Sequence, residues 1–251
     1  MWGKITVNII LIGSEGTMGS CIKKIIKDSS QDQLVAIVDK HLKTSMNSDY
    51  QFPNIQSNPL FMGNIEDFIN YSNNRSDCVC ADVIIDFSTE IDKTNIINFA
   101  AKNKLPLASF STNWSDESLS FAKDYSNKIP ILINSNASIG ANAMFDAVDI
   151  LTNKLKNADI VISEYHHKHK KDSPSGTAKQ LAKIISKNKK DFSVNSNRVS
   201  NECGIHKVEY FLQDEVVTIC HQAKSKNCFA IGALNMTRKL TEKESGLYTS
   251  L

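Results

Sequence analysis

The amino-terminal segment limits the possible folds more than any other part of the chain. Residues 5–12, ITVNIILI, form an apolar run rich in β-branched side chains, and the glycine-rich stretch GSEGTMG follows at residues 13–19. Apolar side chains then recur on one helical face as far as residue 26, and a second apolar run, residues 34–38, ends at Asp39. A strand that passes through glycines into a helix and then into another strand predicts a βαβ unit.

The same alternation of strand and helix continues to about residue 137. The predicted strands are residues 83–87, 105–109 and 129–133, and the predicted helices are residues 91–99 and 115–126. Residues 41–63 are polar and rich in Asn, Ser and Pro, and we expect them to be irregular. This alternation predicts an α/β fold with a Rossmann-like, doubly wound parallel sheet.

After about residue 137 the pattern becomes that of an α+β domain. A helix is predicted over residues 139–155, a strand over 159–165 and another helix opening at 173–177, and two alternating apolar–polar runs occupy 205–212 and 215–221. Such alternation is typical of antiparallel strands with one solvated face. We therefore expect a second domain built around its own sheet.

Composition excludes several classes of function. The 29 basic and 27 acidic residues leave a net charge of +2, which does not support nucleic-acid binding. No window approaches the run of about 18 apolar residues that a membrane span needs. No cleavable leader is visible either, so we expect a cytoplasmic protein with no membrane partner. The six cysteines lack zinc-ribbon spacing, and we expect reduced thiols.

The turn at residues 13–19 has the features of a phosphate-binding loop. Glycines let the backbone approach a pyrophosphate closely, and a helix N-terminus offers free N–H groups and partial positive charge. The spacing is G-x-x-G-x-x-G rather than the commoner G-x-G-x-x-G, but Asp39 lies 20 residues after Gly19, where a ribose-binding carboxylate belongs. The segment favours a dinucleotide, with an ordinary glycine-rich turn and a solvated Asp39 as the alternative.

A second chemical signal is the basic run HHKHK at residues 166–170. It could be a solvated loop, a metal site or an anion site with acid and base groups. We expect no metal, because the lysines would repel a cation and no cysteine or carboxylate ligand is expected close by. An anion site fits the titration of histidine near neutrality. Residues 175–177 then open a helix whose N–H groups could hold a carboxylate, so the two segments favour a small polyanionic substrate.

Residues 164–178 resemble a long family signature. They read EYHHKHKKDSPSGTA, and the 4-hydroxy-tetrahydrodipicolinate reductase (dihydrodipicolinate reductase) family has E-x-H-H-x-x-K-x-D-x-P-S-G-T-A. Residues 13–19, 85–88, 136–142, 229–233 and 243–248 resemble further motifs of that family, in the same order along nearly the whole chain. One segment departs from the pattern, because residues 109–114 read SFSTNW where the family has G-T-T-G, so that Phe110 and Asn113 replace glycines.

This resemblance implies a domain organisation, a reaction and an assembly. It implies a dinucleotide-binding domain made of residues 1–137 and 227–251, and a substrate-binding and oligomerisation domain with a mixed sheet at residues 138–226. The family reduces 4-hydroxy-tetrahydrodipicolinate, a cyclic dicarboxylic imine, to tetrahydrodipicolinate with NADH or NADPH, in diaminopimelate and lysine biosynthesis. The implied partners are this small dicarboxylate and further copies of the chain in a homotetramer.

The resemblance also implies site residues. His166 and Lys170 match the catalytic positions, with Lys170 as the proton donor and His166 polarising the ring or sharing the proton. The implied substrate-binding residues are His167, Ser175, Gly176 and Thr177. The implied cofactor-binding residues are Gly13, Ser14, Glu15, Gly16, Thr17, Met18, Asp39, Lys40, Phe87, Ser88, Ser111, Thr112, Asn134, Ser135, Asn136 and Ala137.

Two other functions remain open at this point. One is a Rossmann-type dehydrogenase of another small acid, and the other is a non-catalytic sensor that binds NAD(H). A sensor predicts no cluster of acid and base groups, whereas residues 166–177 are dense with them.

Overall fold

The computed structural model describes residues 6–28, 32–42, 45–46, 61–73, 80–89, 92–112 and 114–251. The chain divides into two compact units: Met1–Ser135 with Ala230–Leu251, and Asn136–Phe229. In chain order the elements are β1 (Val7–Ile12), α1 (Thr17–Asp28), β2 (Asp32–Val38), β3 (Ser45–Met46), β4 (Phe61–Gly63), α2 (Ile65–Asn73), β5 (Val83–Asp86), α3 (Lys93–Lys102), β6 (Leu107–Ser109), α4 (Asp116–Tyr125), β7 (Pro130–Ile133), α5 (Ile139–Lys154), β8 (Asp159–His166), α6 (Gly176–Ile185), β9 (Ser193–Arg198), β10 (Ile205–Phe211), β11 (Val216–Gln222), α7 (Asn227–Thr241) and β12 (Gly246–Tyr248).

The first unit is built on a sheet with strand order β12-β7-β6-β5-β1-β2-β4-β3. Every neighbouring pair in it is parallel except β3 with β4. The central strands β1, β2 and β5 are buried almost throughout, as expected of parallel strands covered on both faces. Their continuous apolar sequences follow from that burial, and the predicted doubly wound parallel sheet is confirmed.

The closing segment of the chain completes this first unit. β12 adds a parallel strand beside β7, and the Asn134 side-chain amide donates to the Thr249 carbonyl at 2.8 Å. On α7, Arg238 Nε donates to Asp32 Oδ1 at 3.0 Å, and a second guanidinium nitrogen reaches Oδ2. These contacts join the end of the chain to the sheet that its beginning forms.

The second unit has a four-stranded mixed sheet with order β11-β10-β8-β9. β10 runs antiparallel to both β8 and β11, whereas β8 and β9 are parallel. Apolar side chains of α5 and α6 pack with alternate residues of β8 and β10, including Val148, Ile162, Leu181 and Tyr210. The α+β expectation is thus confirmed, with the inward-facing residues of each strand recurring at a period of two.

Several elements differ from the sequence expectations. Residues 41–63 are not irregular throughout, because β3 and β4 pair there; residues 43–44 and 47–60 lie outside the described part of the chain. The helices α2 and α7 and the strands β9 and β12 were not predicted. β9 reads SVNSNR and has little apolar pattern of its own, so its pairing with β8 is what specifies it. In the portion described, the helices are too short or too polar to cross a bilayer.

Candidate active site

In the first unit, the glycine-rich turn between β1 and α1 is shaped by close backbone contacts. Gly13 has φ +79°, and a Cβ there would lie 2.8 Å from the backbone of both Phe87 and Ser88. A Cβ on Gly19 would lie 2.6 Å from the backbone of Ser14, whereas one on Gly16 would find nothing closer than 3.5 Å. Gly13 and Gly19 therefore let the turn close on itself and on the strand end of β5.

Asp39 holds this turn from the end of β2. The carboxylate is buried, and its two oxygens accept backbone N–H groups of Glu15 and His41, each at 3.0 Å. A cleft of about 270 Å³ opens beside it. The cleft is lined by Gly13, Glu15, Gly16, Asp39, Lys40, His41, Phe87, Ser88 and Thr89. It lies at the carboxyl ends of parallel strands and at the N-terminus of α1, where nucleotides bind in open α/β sheets.

A buried polar network fixes the strand end next to this cleft. Asp86 accepts hydrogen bonds from Ser88 N at 2.8 Å, Ser109 Oγ at 2.7 Å and Lys93 Nζ at 2.7 Å. Lys93 also donates to the Ser88 carbonyl at 2.8 Å. Sequence reasoning missed Lys93, because a lysine seven residues after Asp86 on a helix is ordinarily solvated. The buried Lys93 ammonium neutralises Asp86 and holds Ser88 in the cleft wall.

The segment that departs from the family pattern packs against the same wall. Phe110 is buried, and its ring stacks on Phe87 with centroids 5.2 Å apart and planes 23° apart. Ser111 is buried and Thr112 is exposed, while Asn113 lies outside the described residues. An aromatic side chain thus fills the place where the family has a glycine and supports a residue of the cleft.

In the second unit, β8 carries the family signature into a buried cluster. Glu164 is fully buried, and its Oε2 lies 2.7 Å from His166 Nδ1. Its Oε1 accepts from both terminal nitrogens of Arg198 and from Ser175 N, each at 3.1 Å. Burial alone would raise the pKa of Glu164, but hydrogen bonds from Ser175, Ser196 and Arg198 outweigh it and lower the pKa to about 2. The carboxylate is therefore ionised at neutral pH.

Two neutral histidines, His166 and His206, lie close to the Glu164 carboxylate. Burial lowers the pKa of His166, opposed by the charge of Glu164 and reinforced by those of Lys170 and Arg198. Burial likewise lowers the pKa of His206 to about 4. His206 stands opposite Glu164 in the β8–β10 register, and its Nε2 lies 3.0 Å from Ser175 Oγ.

This cluster corrects one step of the sequence argument. The expectation that no carboxylate lies close to the histidine run was wrong, because Glu164, His166 and His206 have ligand-type atoms within 4.8 Å of one another. Glu164 Oε2 and His166 Nδ1 lie 2.7 Å apart, although neither atom has a well-aligned hydrogen-bond partner within the described part of the chain. Two ligands of one tetrahedral zinc ion would lie roughly 3.3 Å apart. Arg198 already neutralises the carboxylate, so the geometry favours a close carboxylate–imidazole contact over a metal site.

The loop after β8 leads to the start of α6. Lys170 Nζ donates to Asp172 Oδ1 at 2.7 Å. Ser175 is the N-cap of α6, where its hydroxyl accepts from Ala178 N at 3.2 Å. A Cβ on Gly176 would meet nothing within 4 Å, so the space beside the first turn of the helix is open.

The other predicted residues near these segments make separate contacts. Asn136, which the resemblance places at the cofactor, donates from its side-chain amide to Thr177 Oγ1 at 2.9 Å, within the second unit. Asn134 and Ser135 belong to the first unit. His167 is half-buried, and its N–H donates to the Glu202 carbonyl at 2.9 Å.

The fold and the two sites define a class of oxidoreductase. Its first unit binds a dinucleotide and has a glycine-rich turn before α1, and its second unit has acid and base side chains beside an open helix N-terminus. Two family models match this chain, Dihydrodipicolinate reductase, N-terminus, over residues 7–137, and Dihydrodipicolinate reductase, C-terminus, over residues 140–250. The chain belongs to the dihydrodipicolinate reductase family, and it is an NAD(P)H-dependent oxidoreductase.

Individual relatives agree with this assignment. The chain is 32% identical over 262 residues to the 4-hydroxy-tetrahydrodipicolinate reductase of Caldanaerobacter subterraneus, covering 97% of this chain and 96% of that protein. It is 33% identical over 258 residues to the enzyme of the same name from Rickettsia rickettsii, covering 97% of both chains. In fold it is similar to the dipicolinate-bound dihydrodipicolinate reductase from Paenisporosarcina sp., with a TM-score of 0.75, 19% identity and 98% of both chains covered.

Proposed function

We propose that residues 164–177 bind and protonate a cyclic dicarboxylic imine, while the cleft of the first unit holds NADH or NADPH. The reaction is the reduction of 4-hydroxy-tetrahydrodipicolinate to tetrahydrodipicolinate in diaminopimelate and lysine biosynthesis. The observation that carries the site assignment is the open N-terminus of α6, which directly follows the loop bearing His166 and Lys170. That segment combines anion-binding N–H groups with acid and base side chains.

The dinucleotide would be held by the turn and strand ends of the first unit. The cradle formed by Gly13 and Gly19 fits a pyrophosphate, because a Cβ at either position would collide with backbone. Asp39 would accept hydrogen bonds from the adenosine ribose, and Lys40 lies in the same cleft, where it can offset the charge of a 2′-phosphate. When bound, the nicotinamide supplies the hydride.

Substrate carboxylates would be held at the start of α6. The free backbone N–H groups of Gly176 and Thr177 point out of the helix N-terminus, where partial positive charge favours an anion. Asn136 fixes the Thr177 hydroxyl, and His167 lies at the entrance to the same loop. The Ser175 hydroxyl is engaged by His206 and Ala178, so its contribution is to shape the helix start.

Protonation of the reduced ring would be the task of Lys170. Its ammonium is half-buried and paired with Asp172, which keeps it positioned at the loop surface. The 4-hydroxyl group of the substrate would first leave as water, which gives a conjugated imine. Hydride would then add to a ring carbon, one proton would pass from Nζ to the ring atom that carries the developing negative charge, and solvent would reprotonate the amine. His166, at the end of β8, would contact the ring and orient it.

We further propose a homotetramer assembled through the sheet of the second unit. α5 and α6 pack on one face of that sheet, while Phe211 and Val216, at the β10–β11 end, remain 40% and 50% exposed. Action in the cytoplasm is supported by the free thiols at Cys21, Cys80, Cys203, Cys220 and Cys228.

A coupled assay tests the proposed reaction. Freshly made product of a dihydrodipicolinate synthase is added to the protein and NADH, and oxidation of NADH is followed by absorbance. Turnover is the expected result. NADH binding without turnover would instead support a sensor, and turnover only with other small acids would support a different dehydrogenase.

A further inference from the structure

The orientation of the active-site histidine is set by a neighbouring carboxylate. Glu164 Oε1 is saturated by Arg198 and Ser175, which leaves Oε2 directed at His166 Nδ1 at 2.7 Å. We propose that Glu164 is a positioning residue, which holds His166 in the tautomer protonated at Nδ1 so that Nε2 faces the substrate as a hydrogen-bond acceptor. This inference rests on the proposed function for its catalytic consequence, but not for the tautomer itself.

The tautomer follows from the donors and acceptors present. An ionised carboxylate can only accept hydrogen bonds, and an unprotonated ring nitrogen 2.7 Å away would set two lone pairs against each other. The contact therefore favours a proton on Nδ1, although the two atoms are not aligned as in an ideal hydrogen bond. The imidazole is neutral at pH 7, because burial lowers the pKa of His166; the charge of Glu164 opposes this change, and the cations of Lys170 and Arg198 reinforce it. Nε2 is then unprotonated. In comparable sites a carboxylate on one ring nitrogen sets the role of the other.

Gly204 lies close to this nitrogen and has no side chain that would cover it. A Cβ on Gly204 would lie 3.0 Å from His166 Nε2, so the absence of a side chain there leaves room at the acceptor. His206 meets the ring edge-on, with centroids 5.1 Å apart, and restricts its rotation. Charged and titratable groups from β8, β9, β10 and the following loop thus surround one imidazole.

Arg198 couples this pair to the loop that bears the proton donor. Besides Glu164, its guanidinium donates to the carbonyls of Asp172 at 2.5 Å and Lys170 at 3.4 Å. One side chain therefore fixes both the carboxylate and the backbone of the donor loop. The arrangement assigns different roles to the two residues. A neutral His166 with an unprotonated Nε2 has no proton to donate at that atom, so Lys170 is the proton donor.

The substitution Glu164→Gln should invert the tautomer. The amide has one oxygen, and Arg198 and Ser175 supply three N–H donors that require it. The NH₂ group then faces His166 Nδ1 and can only donate, which moves the ring proton to Nε2. Glu164→Asp retains a carboxylate and should keep the native tautomer.

Nitrogen-15 NMR of the protein without ligands, with His166 assigned through His166→Asn, reads the tautomer directly. We expect a proton on Nδ1 in wild type and Glu164→Asp, and on Nε2 in Glu164→Gln. Turnover in Glu164→Gln should fall about 10²-fold with NADH binding unchanged, and Glu164→Asp should recover part of it. The exposed control Glu215→Gln should change neither.

Wild-type protein with the proton on Nε2 at neutral pH would overturn the proposal, even if Glu164→Gln failed to fold. An unchanged tautomer in folded Glu164→Gln would overturn it as well. Because the NMR measurement uses no substrate, it is independent of the coupled assay, and failure of the proposed reaction would appear only in wild-type turnover.

Discussion

Acid should weaken the second unit because His206 is buried in its neutral form. Burial, followed by the neighbouring His166, lowers the pKa of His206 to about 4, with Glu164 opposing the change and His221 and Lys170 reinforcing it. In an unfolded chain a histidine has a pKa of about 6.5. Between these values the unfolded state binds more protons, so stability that is present at neutral pH is lost as pH falls from about 6.5 towards 4.

The size of the effect follows from the two pKa values. A change from about 6.5 to about 4 corresponds to about 3 kcal/mol once both states are protonated, and about 2 kcal/mol of it is lost between pH 7 and about pH 4.5. The contribution of Glu164, whose pKa is lowered to about 2, is lost mainly below about pH 4.5. Glu164 therefore acts in a lower window than His206. Burial also lowers the pKa values of His166 and His221, which act in the same window as His206.

Hydrogen exchange can measure this loss of stability within the second structural unit itself. Trp114, the tryptophan within the described residues, belongs to the first unit, so its fluorescence would not report on β8 and β10. Exchange of peptides from these strands, corrected for the intrinsic pH dependence, gives their opening free energy. His206→Gln should show about 2 kcal/mol less pH dependence than wild type. His169→Gln, at an exposed position of the same unit, should match wild type, and equal pH dependence in wild type and His206→Gln would refute the argument.

Two further sets of substitutions and one inhibition experiment probe other parts of the molecule. Asp39→Ala should lower kcat/KM for NADH more than for NADPH, and Lys40→Ala should do the reverse; a constant ratio in both would place the ribose elsewhere. Pyridine-2,6-dicarboxylate should compete with the imine, and Thr177→Ala should weaken its inhibition about tenfold; competition with NADH alone would contradict this. Gly19→Ala should destabilise the first unit by about 1–3 kcal/mol because its Cβ would lie 2.6 Å from neighbouring backbone. Gly16→Ala should lower Tm far less, and equal melting curves would disprove the contact.

The parallel sheet could be predicted from the sequence because its physics is local. Strands buried on both faces require unbroken apolar runs, and the run at residues 34–38 became the greater part of β2. The turn at residues 13–19 could also be predicted from the sequence, because close approach of two backbone segments requires glycine. The signature at residues 164–178 gave the family, which the comparisons confirm.

The buried cluster behind that signature could not be predicted, because it depends on strand register. Arg198 is the last residue of β9 and His206 the second residue of β10, and only the pairing of these strands with β8 brings both side chains to Glu164. β9 lacks the apolar alternation that would have marked it as a strand. The role of Phe110 was equally hidden, since stacking on Phe87 is a tertiary contact that no local pattern encodes.

The kinetics of Lys170→Ala test the central claim most directly. The matched control is Lys168→Ala, an exposed lysine of the same loop. With the imine and NADH, Lys170→Ala should lower kcat by ~10²-fold or more, the scale expected for loss of a general acid. The NADH dissociation constant should stay within about twofold of wild type, and Lys168→Ala should retain near-wild-type turnover. Near-wild-type turnover in Lys170→Ala, or equal losses in the two variants, would contradict the assignment of the proton donor to this loop.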